Sequence, residues 1–321
     1  MRLDGRRESS NVEDRRGQSS GGGFGGFGGM SGGSGGGGFN ILGLLLQMFM
    51  SGKGGSNKGG CGSILLVVVG LLVYFMLSGG GNSMLTGIDQ QDQTVTQTEY
   101  KGSVQEEELA RFTSQILAGT EDVWSAIFND MGKTYRAPKL VMFTNSVRSG
   151  CGAATSSSGP FYCSADQTVY IDLSFFMNMK RQIGADGDFA YAYVIAHEVG
   201  HHVQYLLGDL DRVHRQMASA SQAVSNQLSV RLELQADFYA GVWANYDNKL
   251  FRSLEDGDIE EGLAAAQKIG DDYLQKKAQG YTVPESFNHG TSAQRSKWLR
   301  RGIQTGDIRY GDTFSPDYSQ L

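Results

Sequence analysis

Several things this chain lacks narrow its function before any motif is considered. It carries no excess of base: 28 Lys and Arg stand against 34 Asp and Glu, a net charge of −6. Without a basic stripe, nothing supports binding to a nucleic-acid backbone. No phosphate loop of the Walker type, no dinucleotide fingerprint and no internal repeat is present, so phosphoryl transfer, nicotinamide chemistry and solenoid architectures have no footing. Cysteine is scarce, at three residues. Core-forming residues are missing from most of the first hundred positions, where many of the 46 glycines are crowded. One globular domain is therefore expected, built from about residue 105 onward.

The N-terminal third reads as arm and anchor. Residues 1–20 are rich in Arg, Asp, Glu and Ser. Arg6-Arg7 is not followed by an apolar run at the right distance, so it makes a poor twin-arginine export signal. Residues 20–38 are nearly all Gly and Ser, a flexible linker by composition. The apolar stretch at 39–50 is only about 12 residues long, too short to cross a bilayer, and suits the interface or a protein partner. A second run at 61–78 is uncharged over about 18 residues, the lower limit for a spanning helix. Glycine-rich linkers flank it and nothing amphipathic lies nearby, which disfavours a core helix. It begins too far into the chain for a cleaved signal peptide. The expected organisation is a disordered arm at 1–60, one transmembrane helix at 61–78, a linker at 79–104 and a single domain at 105–321.

Arg2, Arg6, Arg7, Arg15, Arg16, Lys53 and Lys58 precede the 61–78 run, whereas Asp89 and Asp92 follow it before Lys101. The positive-inside bias then predicts a cytoplasmic N-terminus with the domain on the far side. Cys151 and Cys163 bracket a Gly/Ser-rich loop. A disulfide there would contribute about 3 kcal/mol and would persist only in an oxidising compartment. Two free thiols in a cytosolic protein is the alternative.

The chemistry is concentrated in Val194-Ile195-Ala196-His197-Glu198-Val199-Gly200-His201-His202-Val203-Gln204. Residues 189–195 are apolar or aromatic without a break, and Val203, Tyr205, Leu206 and Leu207 continue apolar at helical spacing to Gly208, a candidate C-cap. Asp186 or Asp188 could cap the start. On such a helix His197 and His201 lie one turn apart on one face, so both imidazoles can bind one zinc ion. Glu198 is rotated about 100° from His197, close enough to act as general base on a water the ion activates. A buried helix with hydrogen-bonded histidines is the plain alternative. His202 points off the shared face and reads as structural.

A catalytic zinc takes three protein ligands. The pattern that extends the motif with Gly and His is absent, its offsets falling on Gln204 and Leu207. The next candidate is Glu233, with Asp237 one helical turn on, within a segment made largely apolar by Leu232, Leu234, Ala236, Phe238 and Tyr239. An acidic pair on such a helix is costly to bury without cations or a metal. Glu233 as ligand and Asp237 as acceptor for the far imidazole N–H would satisfy both charges. A solvated acidic face is the competing reading.

The HEVGHH helix followed by ELQADFYAG resembles the bacterial "putative neutral zinc metallopeptidase" family, a relative of the gluzincins, over most of the chain from about residue 100 and over the arginine-bearing start. The resemblance implies that Glu233 ligates zinc and Asp237 supports a histidine ligand. Ser286-Phe287-Asn288-His289-Gly290-Thr291-Ser292-Ala293-Gln294-Arg295 is similar to a Thr-His-Pro-Ser…Arg block of integral-membrane gluzincins, in which the histidine and arginine polarise the substrate carbonyl. That implies catalytic roles for His289 and Arg295, although Gly290 stands where those enzymes carry proline. An ordinary, partly exposed histidine is the alternative for His289.

Around the motif, the expected fold is α+β: a mainly helical, gluzincin-like domain with a small sheet. A helix is expected at 106–130 and strands at 140–143 and 168–173; the gluzincin resemblance implies that the strand just before the metal helix is an edge strand above the site that pairs with extended substrate. A helix at 258–276 would open with a capping box at Asp258-Ile259-Glu260-Glu261. Trp298, Leu299 and Ile303 mark a last helix carrying Arg295. The functional expectation is a membrane-anchored zinc metallopeptidase with one Zn2+, an endopeptidase rather than an exopeptidase. It would act on polypeptide at the periplasmic or outer face of a bacterial cell membrane, with 1–60 available to a protein partner. The rivals are a zinc-stabilised scaffold without turnover and a zinc hydrolase of a non-peptide amide in the cell envelope.

Overall fold

A computed structural model describes residues 1–18 and 100–321. The expected arm from residue 19, the apolar stretch at 39–50, the anchor at 61–78 and the linker to residue 99 lie outside the described residues. Among the described residues, no helix is long and apolar enough to cross a membrane.

The first helix, α1 (Val104–Asp130), is capped by Ser103, whose hydroxyl accepts from the Glu106 N–H at 3.2 Å. It buries Ile116, Val123, Trp124 and Ile127, the stripe its periodicity predicts. The sheet has the order β1-β2-β6-β5, formed by β1 (Val12–Arg15), β2 (Lys139–Phe143), β6 (Thr168–Asp172) and β5 (Phe161–Cys163). The first three strands run parallel and β5 is antiparallel. β2 is covered on both faces, which is why its sequence runs apolar instead of alternating. The hairpin of β3 (Ser146–Ser149) and β4 (Gly152–Thr155) forms a separate sheet, joined to β5 through the Cys151–Cys163 disulfide.

Strand β1 corrects the expectation of an arm that begins at residue 1. Three of its four residues are polar, yet they find a preformed partner edge in β2. Leu3 and Val12 pack on the core, and acidic partners meet the arginines. Arg6 pairs with Asp247 at 2.8 Å, Arg7 with Asp122 at 2.6 Å and Arg16 with Glu107 at 3.1 Å.

Helices supply the remainder: α2 (Ser174–Ile183), α3 (Asp188–Leu207), α4 (Asp209–Met217), α5 (Gln222–Phe251), α6 (Asp258–Lys268), α7 (Asp271–Gln279) and α8 (Ser292–Thr305). Gly208 ends α3 at φ 84°, as expected. The start differs: neither Asp186 nor Asp188 caps it, and Gly187 does so without a side chain. Gly187 adopts φ 111°, a conformation that residues with a Cβ rarely take. The helix expected at 258–276 is two. Its capping box does not form, because Gly257 occupies the cap, and it breaks at Gly270. A Cβ there would meet the Ser292 backbone N at 2.3 Å, and the Asp271 N–H turns to the Gly290 carbonyl at 2.8 Å.

Two glycine contacts position the site. A Cβ on Gly200 of α3 would sit 3.0 Å from the Ala236 carbonyl of α5, so these helices touch backbone to backbone. Gly241 of α5 and Gly302 of α8 face each other, with a Cβ on Gly302 falling 2.1 Å from the Phe238 carbonyl. The first contact brings Glu233 to the histidines. The second brings Arg295 to Asp237.

Candidate metal centre

His197 and His201 project from one face of α3, and Glu233 reaches them from α5. Glu233 Oε2 lies 3.2 Å from His197 Nε2, and Oε1 lies 3.5 Å from His201 Nε2. One ligand atom from each of the three falls within 4.8 Å of the others, with every residue buried. The ring orientations are set from behind. His197 Nδ1 donates to Asp237 Oδ1 at 2.9 Å, and His201 Nδ1 donates to Gln204 Oε1 at 2.9 Å. With both Nδ1 protons so used, the Nε2 lone pairs face Glu233. His197 Nε2 and both Glu233 oxygens are buried without a hydrogen-bond partner. Buried polar atoms left this way are costly, and a cation among two imidazoles and a carboxylate satisfies all of them with the donor set zinc prefers. The residues present fit the ion.

Glu198 is 1% exposed, and its Oε2 has no hydrogen-bond partner. Burial pushes its carboxyl upward from the ordinary range, as a group that must pick up and release a proton requires. The supporting carboxylate, Asp237, collects four donors: Tyr193 Oη at 2.6 Å, His197 Nδ1 at 2.9 Å, and Arg295 Nε and Nη2 at 2.8 Å each. Burial opposes its charge, but the Arg295 guanidinium holds its carboxyl below the usual range.

Arg295 is fully buried, gripping Asp237 with two bonds, and its Nη1 has no partner. Its nearest contacts place it behind a metal ligand. His289 is 4% exposed, and its Nδ1 meets Asp271 Oδ1 at 3.2 Å, so Nε2 is the ring nitrogen left for other work. Asp271 raises its pKa against the effect of burial, and the charge of Glu233 adds to this. Gly290 adopts φ 92°. Proline, with φ locked near −65°, cannot take that conformation, so the departure from the gluzincin block is built into this turn. His202 is a structural residue: Nε2 donates to the Arg136 carbonyl at 2.6 Å and Nδ1 accepts from Tyr162 at 2.9 Å. Burial lowers its pKa to about 4, which keeps it neutral.

Three residues escaped the sequence reading. Tyr193 lay inside an apolar run, and only its place one turn before His197 could have flagged the hydroxyl. Gln204 was noted for the glycine it replaces, not for lying one turn after His201. Asp271, hidden in a helix expected to be continuous, accepts the backbone N–H groups of Asn288, His289 and Gly290 at 2.8, 2.7 and 3.0 Å. The Cys151–Cys163 pair is joined, as the oxidised alternative expects.

The sequence pattern of the family described as "putative neutral zinc metallopeptidase" matches residues 47–314. The chain belongs to this family. Proteins similar to it include "Uncharacterized protein YpfJ" of Escherichia coli (strain K12), 50% identical over 98% of this chain and 99% of the relative. Another is "Uncharacterized protein Rv2575" of Mycobacterium tuberculosis (strain ATCC 25618 / H37Rv), 42% identical over 64% of this chain and 72% of the relative. No solved structure matches. The Zn_peptidase match spans the whole metal centre, from the HEVGHH helix to Arg295.

Proposed function

We propose that the chain is a zinc-dependent endopeptidase attached to a bacterial cell membrane through residues 61–78, with its metal domain on the periplasmic or outer side. The observation that carries the catalytic part is the buried Glu198 carboxylate, its Oε2 without a hydrogen-bond partner, on the helix that bears two of three converging ligand atoms. A structural metal site needs only ligands, so this buried carboxylate speaks against a scaffold without turnover.

His197, His201 and Glu233 would hold zinc, which would supply Lewis acidity at the reacting centre. Glu198 accepts a proton from the attacking water and delivers it to the leaving amine. His289, oriented by Asp271, donates from Nε2 to the oxygen on which negative charge develops. Arg295 and Tyr193 act one step back, fixing Asp237 and hence the His197 ring. The edge strand β5, which reaches α3 through Tyr162 and His202, is a backbone against which extended polypeptide could align. The Cys151–Cys163 disulfide supports an oxidising compartment.

The test is hydrolysis of an unfolded polypeptide by the full chain, with and without a chelator, alongside metal analysis. Zinc bound near one equivalent, with turnover abolished by chelation and by Glu198→Gln, is the expected result. Equal turnover in wild type and Glu198→Gln would refute the assigned base.

A further inference from the structure

We infer that residues 1–18 and the metal domain share one compartment, with the described residues that flank the 19–99 stretch held together at a single neck. Strand β1 pairs with β2 in parallel register from Val12↔Leu140 to Arg15↔Phe143, and the Leu140 N–H donates to the Asn11 carbonyl at 2.9 Å. Strands joined by such a ladder lie about 4.8 Å apart and cannot stand on opposite faces of a hydrocarbon layer about 30 Å thick.

The neck is built. Arg16 is 5% exposed, and its guanidinium reaches Asp14 at 2.6 Å and Glu107 at 3.1 Å. Its Cζ lies 5.5 Å from the centre of the Tyr100 ring. Gly17 lies so near that ring that a Cβ would fall 2.1 Å from Tyr100 Cδ2. Residues 17 and 100, which flank the 19–99 stretch, therefore lie side by side, held by an arginine between two carboxylates and an aromatic ring. Both apolar stretches, 39–50 and 61–78, fall within this insertion.

A chain whose first residues lay across a membrane from the domain could not keep β1 on β2. The count of basic residues pointed elsewhere because it treats them as free charges. All five arginines are instead paired in the folded unit: Arg2 with Glu255, Arg6 with Asp247, Arg7 with Asp122, Arg15 with Glu13 and Arg16 with Asp14. Membrane attachment belongs to the proposed function; the shared compartment depends neither on it nor on catalysis.

The experiment uses the full chain in bacterial cells with Cys61→Ser, adding either Asp4→Cys or Glu260→Cys, both at exposed positions. A membrane-impermeant maleimide is applied before and after permeabilisation. The same response at both positions in intact cells, with both labelled after permeabilisation, is expected. One position labelled and the other protected in intact cells would overturn the inference, and Ser10→Cys repeats the N-terminal arm of the test. Fractionation separately decides whether the chain is membrane-attached. Its failure would remove the anchor and leave the shared compartment standing, just as an active Glu198→Gln enzyme would remove only the catalytic reading.

Discussion

At the scale of single residues, the motif side chains divide the work in a way substitution can separate. Glu198→Gln preserves shape and leaves His197, His201 and Glu233 in place, so zinc content should hold while turnover falls by about 10²–10⁴-fold or more. Glu233→Gln should lose metal as well, which equilibrium dialysis at fixed free zinc would show. Asp237→Asn keeps the volume but weakens acceptance from four donors, and should cost about 10–100-fold in zinc affinity. Tyr193→Phe removes one of those donors, so the affinity loss should be smaller than that of Asp237→Asn. An effect of equal size would mean the hydroxyl is more than a supporting group. The motif histidines and acids were legible because buried charge is expensive and helical spacing is rigid. Tyr193, Gln204 and Asp271 were not, because a tyrosine, a glutamine or a first-turn aspartate acquires a role only once helices are set against each other.

At the scale of elements, the contacts that matter are those made without side chains. Gly302→Ala drives a methyl group into the Phe238 carbonyl, and neither backbone can yield without parting α8 from α5. The expected cost is about 1–3 kcal/mol, or about 2–4 °C in Tm per kcal/mol. Zinc affinity should fall too, because Arg295 rides on α8 and Asp237 on α5; unchanged affinity in a destabilised variant would separate packing from the site. Reduction of Cys151–Cys163, or replacement of both by Ser, should cost about 2–4 kcal/mol, measured by thermal unfolding. Helix periodicity showed α1, α3 and α8, and β2 and β6 were readable from their apolar content. β1 was hidden because Val12-Glu13-Asp14-Arg15 contributes little apolar surface of its own. The break between α6 and α7 was hidden because its cause lies at residues 288–292, where Asp271 gathers backbone donors.

At the scale of the whole molecule, the candidate metal site joins parts that the sequence keeps far apart. Removing zinc leaves Glu233 buried between two imidazoles without its cation, so apo protein should unfold at lower temperature. The stabilisation lost is about 4 kcal/mol when free zinc exceeds its dissociation constant about 1,000-fold. An apo Tm equal to that of the zinc-loaded chain would deny the ion any part in holding α3 against α5. The pairing of β1 with β2 also dictates a timetable for biosynthesis. Val12 leaves the ribosome early, yet its partner Leu140 is made only after every residue of the 19–99 insertion. The sheet's first strand must wait unpaired until β2 is made, so the domain closes late, and until then neither strand has its partner.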